Sequence, residues 1–319
     1  MRSNRISVPT EVYKNVCNWH GKEGARWCKE VPALAEALAD KWCISLGPII
    51  EGSTHALVVK CRTEDGEDAV FKLPFRNAEN MHEALALRLY RGIGSVKLIN
   101  NDIASGAMLL EFITPGLPLN DHPDVQKAVI VLCEILSRLR HQNTYGFDSI
   151  FRWMAGFELA LIEIFSMQAP ILPAKISAQV LDIIPYLRRN KGELYVVNRD
   201  PHFYNVISSS REPWLLIDPK PVVADIAFEG AQVLLNCLGV SATRHHVIAA
   251  MNLIVPYFGG SRRRLLAWAL VRAVHKAVWS FRVGELGWKA VSCKKAELIG
   301  ELIKYLDGEH DQWCINYGF

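Results

Sequence analysis

The sequence predicts an α+β chain of two lobes: a small β-rich N-lobe with a five-stranded antiparallel sheet, then a larger, mainly helical C-lobe. Three observations predict it. Between residues 47 and 73, β-branched runs alternate with the turn signals Gly52-Ser53 and Asp65-Gly66, the second a strong hairpin signal. Beyond residue 121, long stretches place apolar residues at helical spacing. Between these regions lies TPGLPLNDHPD, rich in Pro and turn formers, where the pattern changes.

Each element can be justified in order. VPALAEALADKW (31–42) has helical spacing, with Pro32 near its start. Strands are expected at about 47–51, 55–62 and 68–73. NAENMHEALALRLYRGIG (77–94) then reads as a helix that stops at Gly92 or Gly94. Strands at about 96–100 and 107–113 are separated by the turn-rich NNDIASG. Helices are expected at about 123–141, 149–166, 175–190, 227–237, 243–256, 262–282 and 289–306. Short strands near 194–197, 204–208 and 214–217 interrupt them. The division is therefore 1–113 and 114–319, with a linker near 114–121, and ligands often bind where two lobes meet.

Composition narrows the function classes. Half of the residues are apolar and 22% are charged, which excludes a disordered chain. A net charge of +3 argues against a nucleic-acid or membrane partner. The basic run SRRRLL reads as a solvated helix start. The eight cysteines are scattered, with no CxxC pair, and predict free thiols in a reducing cytoplasm. Cys17 and His20 form a lone C-x-x-H without a second ligand pair, so zinc is not expected. The N-terminal stretch lacks the apolar core of a signal peptide. LLAWALVRAVHKAVWSF (265–281) is broken by Arg272, His275 and Lys276, and predicts a buried helix rather than a membrane span.

One order of residues carries chemistry. Phosphoryl transfer from ATP needs a cation on the phosphates, oxygen ligands for Mg²⁺ and a carboxylate that meets the acceptor hydroxyl. Lys72 in DAVFKLPF sits on the third expected strand, and Glu83 lies on the helix that follows, with Glu79 as its competitor. In NRDPHFYN, Asp200 and Asn205 have the D-x-x-x-x-N spacing of a kinase catalytic loop. WLLIDPK is an apolar strand delivering Asp218 at its end, where a metal-binding Asp is expected. Each piece alone is common: strand-end lysines are mostly solvated and Asp-Pro mostly marks a turn. Their order in lobes of fitting character is what points to an ATP-dependent, protein-kinase-like fold.

NRDPHFYNV followed by EPWLLIDPKP resembles the HGDLHPGNV and IDPK segments of the aminoglycoside/hydroxyurea phosphotransferase family, which includes streptomycin 6-kinase-like antibiotic-resistance enzymes. GKEGARWCKEVPALAEALADKWCISLGP, HEALALRLYRGIG, AMLLEFITPGLPL and LLAWALVRAVHKAVWSF extend the likeness over nearly the whole chain. The resemblance implies a cytoplasmic phosphotransferase, monomeric or weakly dimeric, acting on a hydroxyl of a small molecule such as a streptomycin-like or hydroxyurea-like antibiotic. It implies Asp200 as the base or hydroxyl-orienting carboxylate, and Asn205 and Asp218 as Mg²⁺ ligands. Lys72 would contact the α/β-phosphates with Glu83 fixing it. Ser53, in EGSTH, would lie in the turn over the phosphates, and Glu111 and Phe112 in the hinge against adenine.

The chain departs from the pattern at Asn198-Arg199, where the family has His-Gly, and at Phe203-Tyr204, where it has Pro-Gly. Asn can donate and accept as a bracing His does, over a shorter reach. Arg199 beside Asp200 would keep that carboxylate ionised. A nucleotide-binding protein with little or no turnover is the alternative reading. His202 reads as a loop brace and Asp225 as the cap of the next helix. A cationic acceptor would need acids, and Asp148, Glu158, Glu163, Glu229 and Glu285 are the candidates, though solvated surface positions are their ordinary use.

Overall fold

The structure is a computed structural model that describes residues 6–166 and 171–309, the last five of these by backbone alone. Cys314 and the first residues of the N-terminal stretch lie outside the described residues. In chain order the elements begin with α1 (Thr10–Lys41), β1 (Ser45–Ile49), β2 (Ala56–Arg62), β3 (Asp68–Pro74), α2 (Glu83–Tyr90), β4 (Leu98–Asn101), β5 (Met108–Glu111) and β6 (Pro115–Pro118). They continue with α3 (Val125–Leu139), α4 (Ile150–Phe165), α5 (Ala174–Arg189), β7 (Tyr195–Asn198), β8 (Val206–Ser209), β9 (Trp214–Leu216) and β10 (Pro221–Ala224). They end with α6 (Ile226–Cys237), α7 (Arg244–Ile254), α8 (Arg262–Arg282) and α9 (Leu286–Glu309). The chain divides into two compact units, one running to Leu117 with Ile207–Pro219 added, the other made of Pro118–Val206 and the chain from Lys220 onward.

The first unit is built on the expected five-stranded antiparallel sheet, in the order β1-β2-β3-β5-β4. One face is packed by Leu57, Val59, Phe71, Leu73 and Leu109 with Val31, Ala35 and Leu38 of α1. That helix starts some twenty residues earlier than the stretch read from sequence and changes direction at Gly21, where φ is 54° and ψ is −127°. Its front half is held by Val12 and Val16, which pack with Cys28 and Phe75. Helix α2 starts later than expected. Asn80 donates to the Phe75 carbonyl at 2.8 Å and Asn77 accepts from the Glu79 N–H at 2.8 Å, so the chain turns there instead of coiling. Strand β9 is fixed by backbone bonds of 2.9 Å to Gly94 and Val96. The linker read near 114–121 contains β6, which joins β8 and β9 in a three-stranded sheet.

The second unit is mainly helical around one small antiparallel pair, β7 with β10. Strand β10 was not read from sequence, because Pro219 and Pro221 around it look like a turn. Helix α8 is buried along most of its length, with Trp268, Leu266, Leu270 and Val274 fully inside, and no described helix is long and apolar enough to cross a membrane. Asp225 caps α6: Oδ1 accepts from the N–H groups of Ala227 at 2.8 Å and Phe228 at 3.3 Å. Its other oxygen accepts from Arg264 at 2.6 Å and from the Trp268 indole at 2.7 Å. Asp225→Ala therefore removes a cap and leaves a buried indole N–H and a guanidinium without their acceptor. A loss of about 3–5 kcal/mol in urea unfolding is expected, against about 1–2 for a cap alone.

Candidate active site

In the first unit, sheet register aims Lys72 at two carboxylates. Lys72 lies on β3, paired with Val58 on β2 and Met108 on β5, so its strand is central and rigid. Its Nζ is 2.6 Å from Glu83 Oε1 and 2.5 Å from Asp218 Oδ1. Glu83 is only 1% exposed and opens α2, where a carboxylate is favoured by the helix N-terminus. Glu79, the competitor, lies in the preceding turn. Burial pulls the Lys72 ammonium down, but Asp218 and Glu83 outweigh burial and hold it above its ordinary value. Asp218 has φ 51°, a left-handed conformation that Asp tolerates better than most residues, and it stands two residues beyond the end of β9.

The other first-unit candidates have quieter surroundings. Ser53 Oγ accepts from the Ala56 N–H at 3.1 Å, which closes the turn after Gly52, whose φ is 93°. Glu111 ends β5, and its carboxylate takes Arg211 Nε at 3.2 Å and the Lys97 N–H at 2.9 Å. Phe112 packs its ring 4.2 Å from Lys60 Nζ. The side chains of Glu111 and Phe112 are thus engaged within the protein, which leaves backbone groups as the means by which this segment would meet a ligand.

In the second unit the candidate loop residues around Asp200 hang on β7 and β10. Asn198 pairs with Pro221, so the Arg199 N–H donates to the Lys220 carbonyl at 2.8 Å and Lys220 is delivered beside the loop. Lys220 Nζ is 2.8 Å from Asp200 Oδ2. His202 Nε2 is 3.9 Å from the same oxygen. Burial pushes the Asp200 carboxyl up, but Lys220, His202 and Arg272 together outweigh it and hold it down at about 2. The cation that the structure places against Asp200 is therefore Lys220. The reason is strand pairing, which adjacency in sequence does not reveal.

Asn198 does what its position demands. Its Oδ1 accepts from the N–H groups of Asp200 at 3.1 Å and Lys220 at 3.2 Å, which ties the loop to the strand beside it. Its own N–H donates to Glu229 Oε1 at 2.7 Å, and Glu229 is held by Arg140 Nε at 3.0 Å. Burial pushes Glu229 up, against Arg140 and that N–H. Asn205 lies in a 3-10 turn, 7% exposed, its N–H donating to the His202 carbonyl at 3.0 Å. Of the bulky pair Phe203-Tyr204, Tyr204 points outward at 61% exposure and Phe203 is half-buried.

Three residues escaped the sequence reading: Lys220, Glu229 as a brace, and Arg272, whose Nη2 donates to the Arg199 carbonyl. Only Lys220 had a signal, the lysine of IDPK. The acids considered for a cationic acceptor are largely engaged: Asp148 with Arg152 at 3.6 Å, Glu158 with Arg188 at 2.7 Å, Glu163 with Arg282 at 2.6 Å and Glu229 with Arg140.

Asp218 in the first unit and Asn205 in the second each carry a hard oxygen of the kind that Mg²⁺ prefers, and Mg²⁺ at phosphate sites needs only one or two protein ligands. Among the described residues no cluster of three or more His, Cys, Asp or Glu could form an all-protein cage. The buried Nδ2 groups of Asn198 and Asn205 have no hydrogen-bond partner among the described residues.

Comparison with known proteins is consistent with this arrangement. A family model described as aminoglycoside/hydroxyurea antibiotic resistance kinase matches residues 41–284. The hydroxyurea phosphotransferase of Kitasatospora aureofaciens is 28% identical over 92% of this chain and 86% of its own. The streptomycin 6-kinase of Streptomyces glaucescens is 26% identical over 88% of this chain and 93% of its own. Among solved structures, choline kinase LicA from Streptococcus pneumoniae superposes with a TM-score of 0.62 at 15% identity, over 86% of this chain and 99% of its own. Aminoglycoside phosphotransferase APH(4)-Ia gives 0.62 at 14% identity, over 85% and 98%. These likenesses show a protein-kinase-like fold.

Proposed function

The chain belongs to the aminoglycoside/hydroxyurea antibiotic resistance kinase family, and from that premise we propose that it transfers the γ-phosphoryl group of ATP to a hydroxyl of a small molecule. The observation that carries this reading is the lysine shared by two carboxylates, Lys72 between Glu83 and Asp218. A buried cation so held can meet the α/β-phosphates without reorganising. Asp218 and Asn205 are the Mg²⁺ ligands of this reading, and the bound ion would neutralise phosphate charge. Ser53 belongs to the turn over the phosphates, and the backbone of Glu111 and Phe112 to the adenine edge. In the transfer the bond from the γ-phosphorus to the bridging oxygen breaks, a bond from the acceptor oxygen forms, and the hydroxyl loses its proton.

Asp200 orients that hydroxyl. A carboxylate held at about 2 is a weak base toward an alcohol, so it aligns the acceptor and takes its proton only as the new bond forms. The acceptor would be an antibiotic of the kinds that the relatives' names give, hydroxyurea or streptomycin. The test is incubation with ATP, Mg²⁺ and a panel of such compounds, read as a phosphate mass gain. ATP binding without any modified compound would instead support a nucleotide-binding protein without turnover.

The pairing also predicts a pH effect. Asp200 stays ionised above its lowered pKa of about 2, so it sets no acid limb in kcat/KM at moderate pH. In Lys220→Met, burial is opposed only by His202 and Arg272, and the pKa rises toward or past the ordinary value of about 3.9. Activity of the variant should then fall as pH drops through the weakly acidic range, where the parent holds. Identical acid limbs would contradict the pairing.

A further inference from the structure

One arginine of the first unit bonds several of its segments at once. Arg211 stands in the turn between β8 and β9, and its side chain is 26% exposed. Its Nε donates to both oxygens of Glu111 at 3.2 Å, and its Nη2 donates to Glu111 Oε1 as well. Nη1 donates to the Gly92 carbonyl and Nη2 to the Ser95 carbonyl, each at 2.7 Å. Nη1 also meets Glu212 Oε1 at 2.9 Å, and that oxygen accepts from the Gly94 N–H at 3.1 Å. The planar fork of an arginine suits this task, because its donors leave in fixed directions. A lysine, a point charge on a flexible stem, could not satisfy all these acceptors together.

Each bonded segment leads to a residue of the nucleotide reading. Glu111 ends β5, and its backbone with that of Phe112 would meet adenine. Gly92 lies two residues beyond α2, the helix that Glu83 opens, and a cation is favoured by carbonyls at a helix C-terminus. Arg211 itself lies three residues before β9, and Asp218 two residues after it. β9 is bonded to the same connection: the Leu216 N–H donates to the Gly94 carbonyl and the Val96 N–H to the Leu216 carbonyl, both at 2.9 Å. Glu111 adds a further tie, since its carboxylate takes the Lys97 N–H at 2.9 Å and its own N–H donates to the Lys97 carbonyl at 3.1 Å. The end of β5, the connection after α2 and the approach to β9 thus share one frame. Segments fixed before a ligand arrives give up less freedom when it binds.

We infer that Arg211 is a positioning residue for the nucleotide. It acts through Glu111 and the connection after α2, and it holds the adenine-facing backbone in register with the helix of Glu83 and the strand that delivers Asp218. The inference rests on the reading of Glu83, Glu111, Phe112 and Asp218 as nucleotide-site residues, and it deepens that reading by naming what aligns them.

The test compares the full chain with Arg211→Gln, Arg211→Lys, Glu111→Gln and the double variant of Arg211→Gln with Glu111→Gln. Arg76→Gln is the control. Arg76 also braces a loop of the same unit, its Nη1 donating to the carbonyls of Ile103 at 2.9 Å and Ala104 at 2.8 Å, but those residues are outside the nucleotide reading. Calorimetry gives Kd for ATP, initial rates give kcat and both KM values, and urea unfolding gives stability. Arg211→Gln is expected to raise Kd and KM for ATP about tenfold or more, the ordinary worth of a hydrogen bond to a charged group, with the acceptor KM within about twofold. Arg211→Lys keeps the charge beside Glu111 and should lose less. The double variant should bind ATP about as poorly as Arg211→Gln alone, because the two side chains act as one unit. Arg76→Gln should lower the urea midpoint without changing Kd for ATP. Should Arg211→Gln not fold, Arg211→Lys and Glu111→Gln carry the same comparison. A lowered urea midpoint with Kd for ATP unchanged in both of those variants makes Arg211 a structural brace and overturns the inference. An Arg76→Gln loss of ATP affinity as large as that of Arg211→Gln overturns it too. ATP binding with no compound modified overturns the phosphotransferase reading alone, since the variants' Kd values still decide the inference; a parent that binds no ATP overturns both.

Discussion

Asp200→Ala is expected to stop phosphoryl transfer while ATP still binds. The expected loss in kcat is on the order of 10²–10⁴-fold, the ordinary worth of a positioned carboxylate in proton transfer. The side chain sits at the mouth of its loop, about a third exposed at 35%, and is tied by Lys220 through a single 2.8 Å contact. Its backbone is held separately, by the Asn198 side chain on its N–H and by Arg272 on the carbonyl before it. Removing the carboxyl should therefore leave the loop in place and take away the group that aligns the acceptor in the proposed reaction. Asp200→Asn keeps the shape and loses the charge, and should be nearly as impaired. Calorimetric titration with ATP checks the other half of the prediction. An alanine variant with undiminished turnover would remove Asp200 from the mechanism.

Lys72→Met combines two losses. Glu83, 1% exposed, and Asp218 both give up the cation that they share. Breaking a buried ion pair from one side costs about 3–5 kcal/mol, because a carboxylate stays behind in a poor solvent for charge. Urea unfolding should show that loss as a lower midpoint with an unchanged slope. Transfer should fall by a further factor on the order of 10²–10³ at saturating acceptor, because the phosphates lose a preorganised cation. Lys72→Arg keeps the charge but brings a planar fork into a space fitted to a point charge, and should recover stability better than turnover. A methionine variant as stable as the parent would mean that the pair is solvated in solution.

Much of this arrangement is legible in the sequence, and the limits have physical reasons. The strands β1 to β5 announce themselves through β-branched runs and the Asp65-Gly66 turn, and the helices after residue 121 through their spacing. The front half of α1 does not, since its buried stripe is only Val12 and Val16 before the break at Gly21. β10 is masked by Pro219 before it and Pro221 at its first position. Among the candidate residues, the placing of Lys72 on a strand, Glu83 on the next helix and Asp218 just after an apolar strand can be read from local pattern, and the spacing of Asp200 and Asn205 marks a loop. The contacts of Lys220, Glu229 and Arg272 cannot be read so, because they cross between elements apart in the chain, although the lysine of IDPK is itself a signal for Lys220. The question raised by Asn198 is of the same kind. Its oxygen reaches the N–H groups of Asp200 and Lys220, one of them across the strand pair, and only the register of β7 against β10 reveals it.

The central claim is that this chain moves phosphate from ATP to a hydroxyl. Phosphorus NMR of the protein with ATP, Mg²⁺ and an accepted compound tests it most directly, because every phosphorus atom is followed at once. The account predicts that the γ-phosphate signal is replaced by a phosphoester signal in step with ADP, and that neither change occurs with Asp200→Ala. An ATP spectrum that shifts on binding and then stays constant, with no phosphoester from any acceptor, would contradict it.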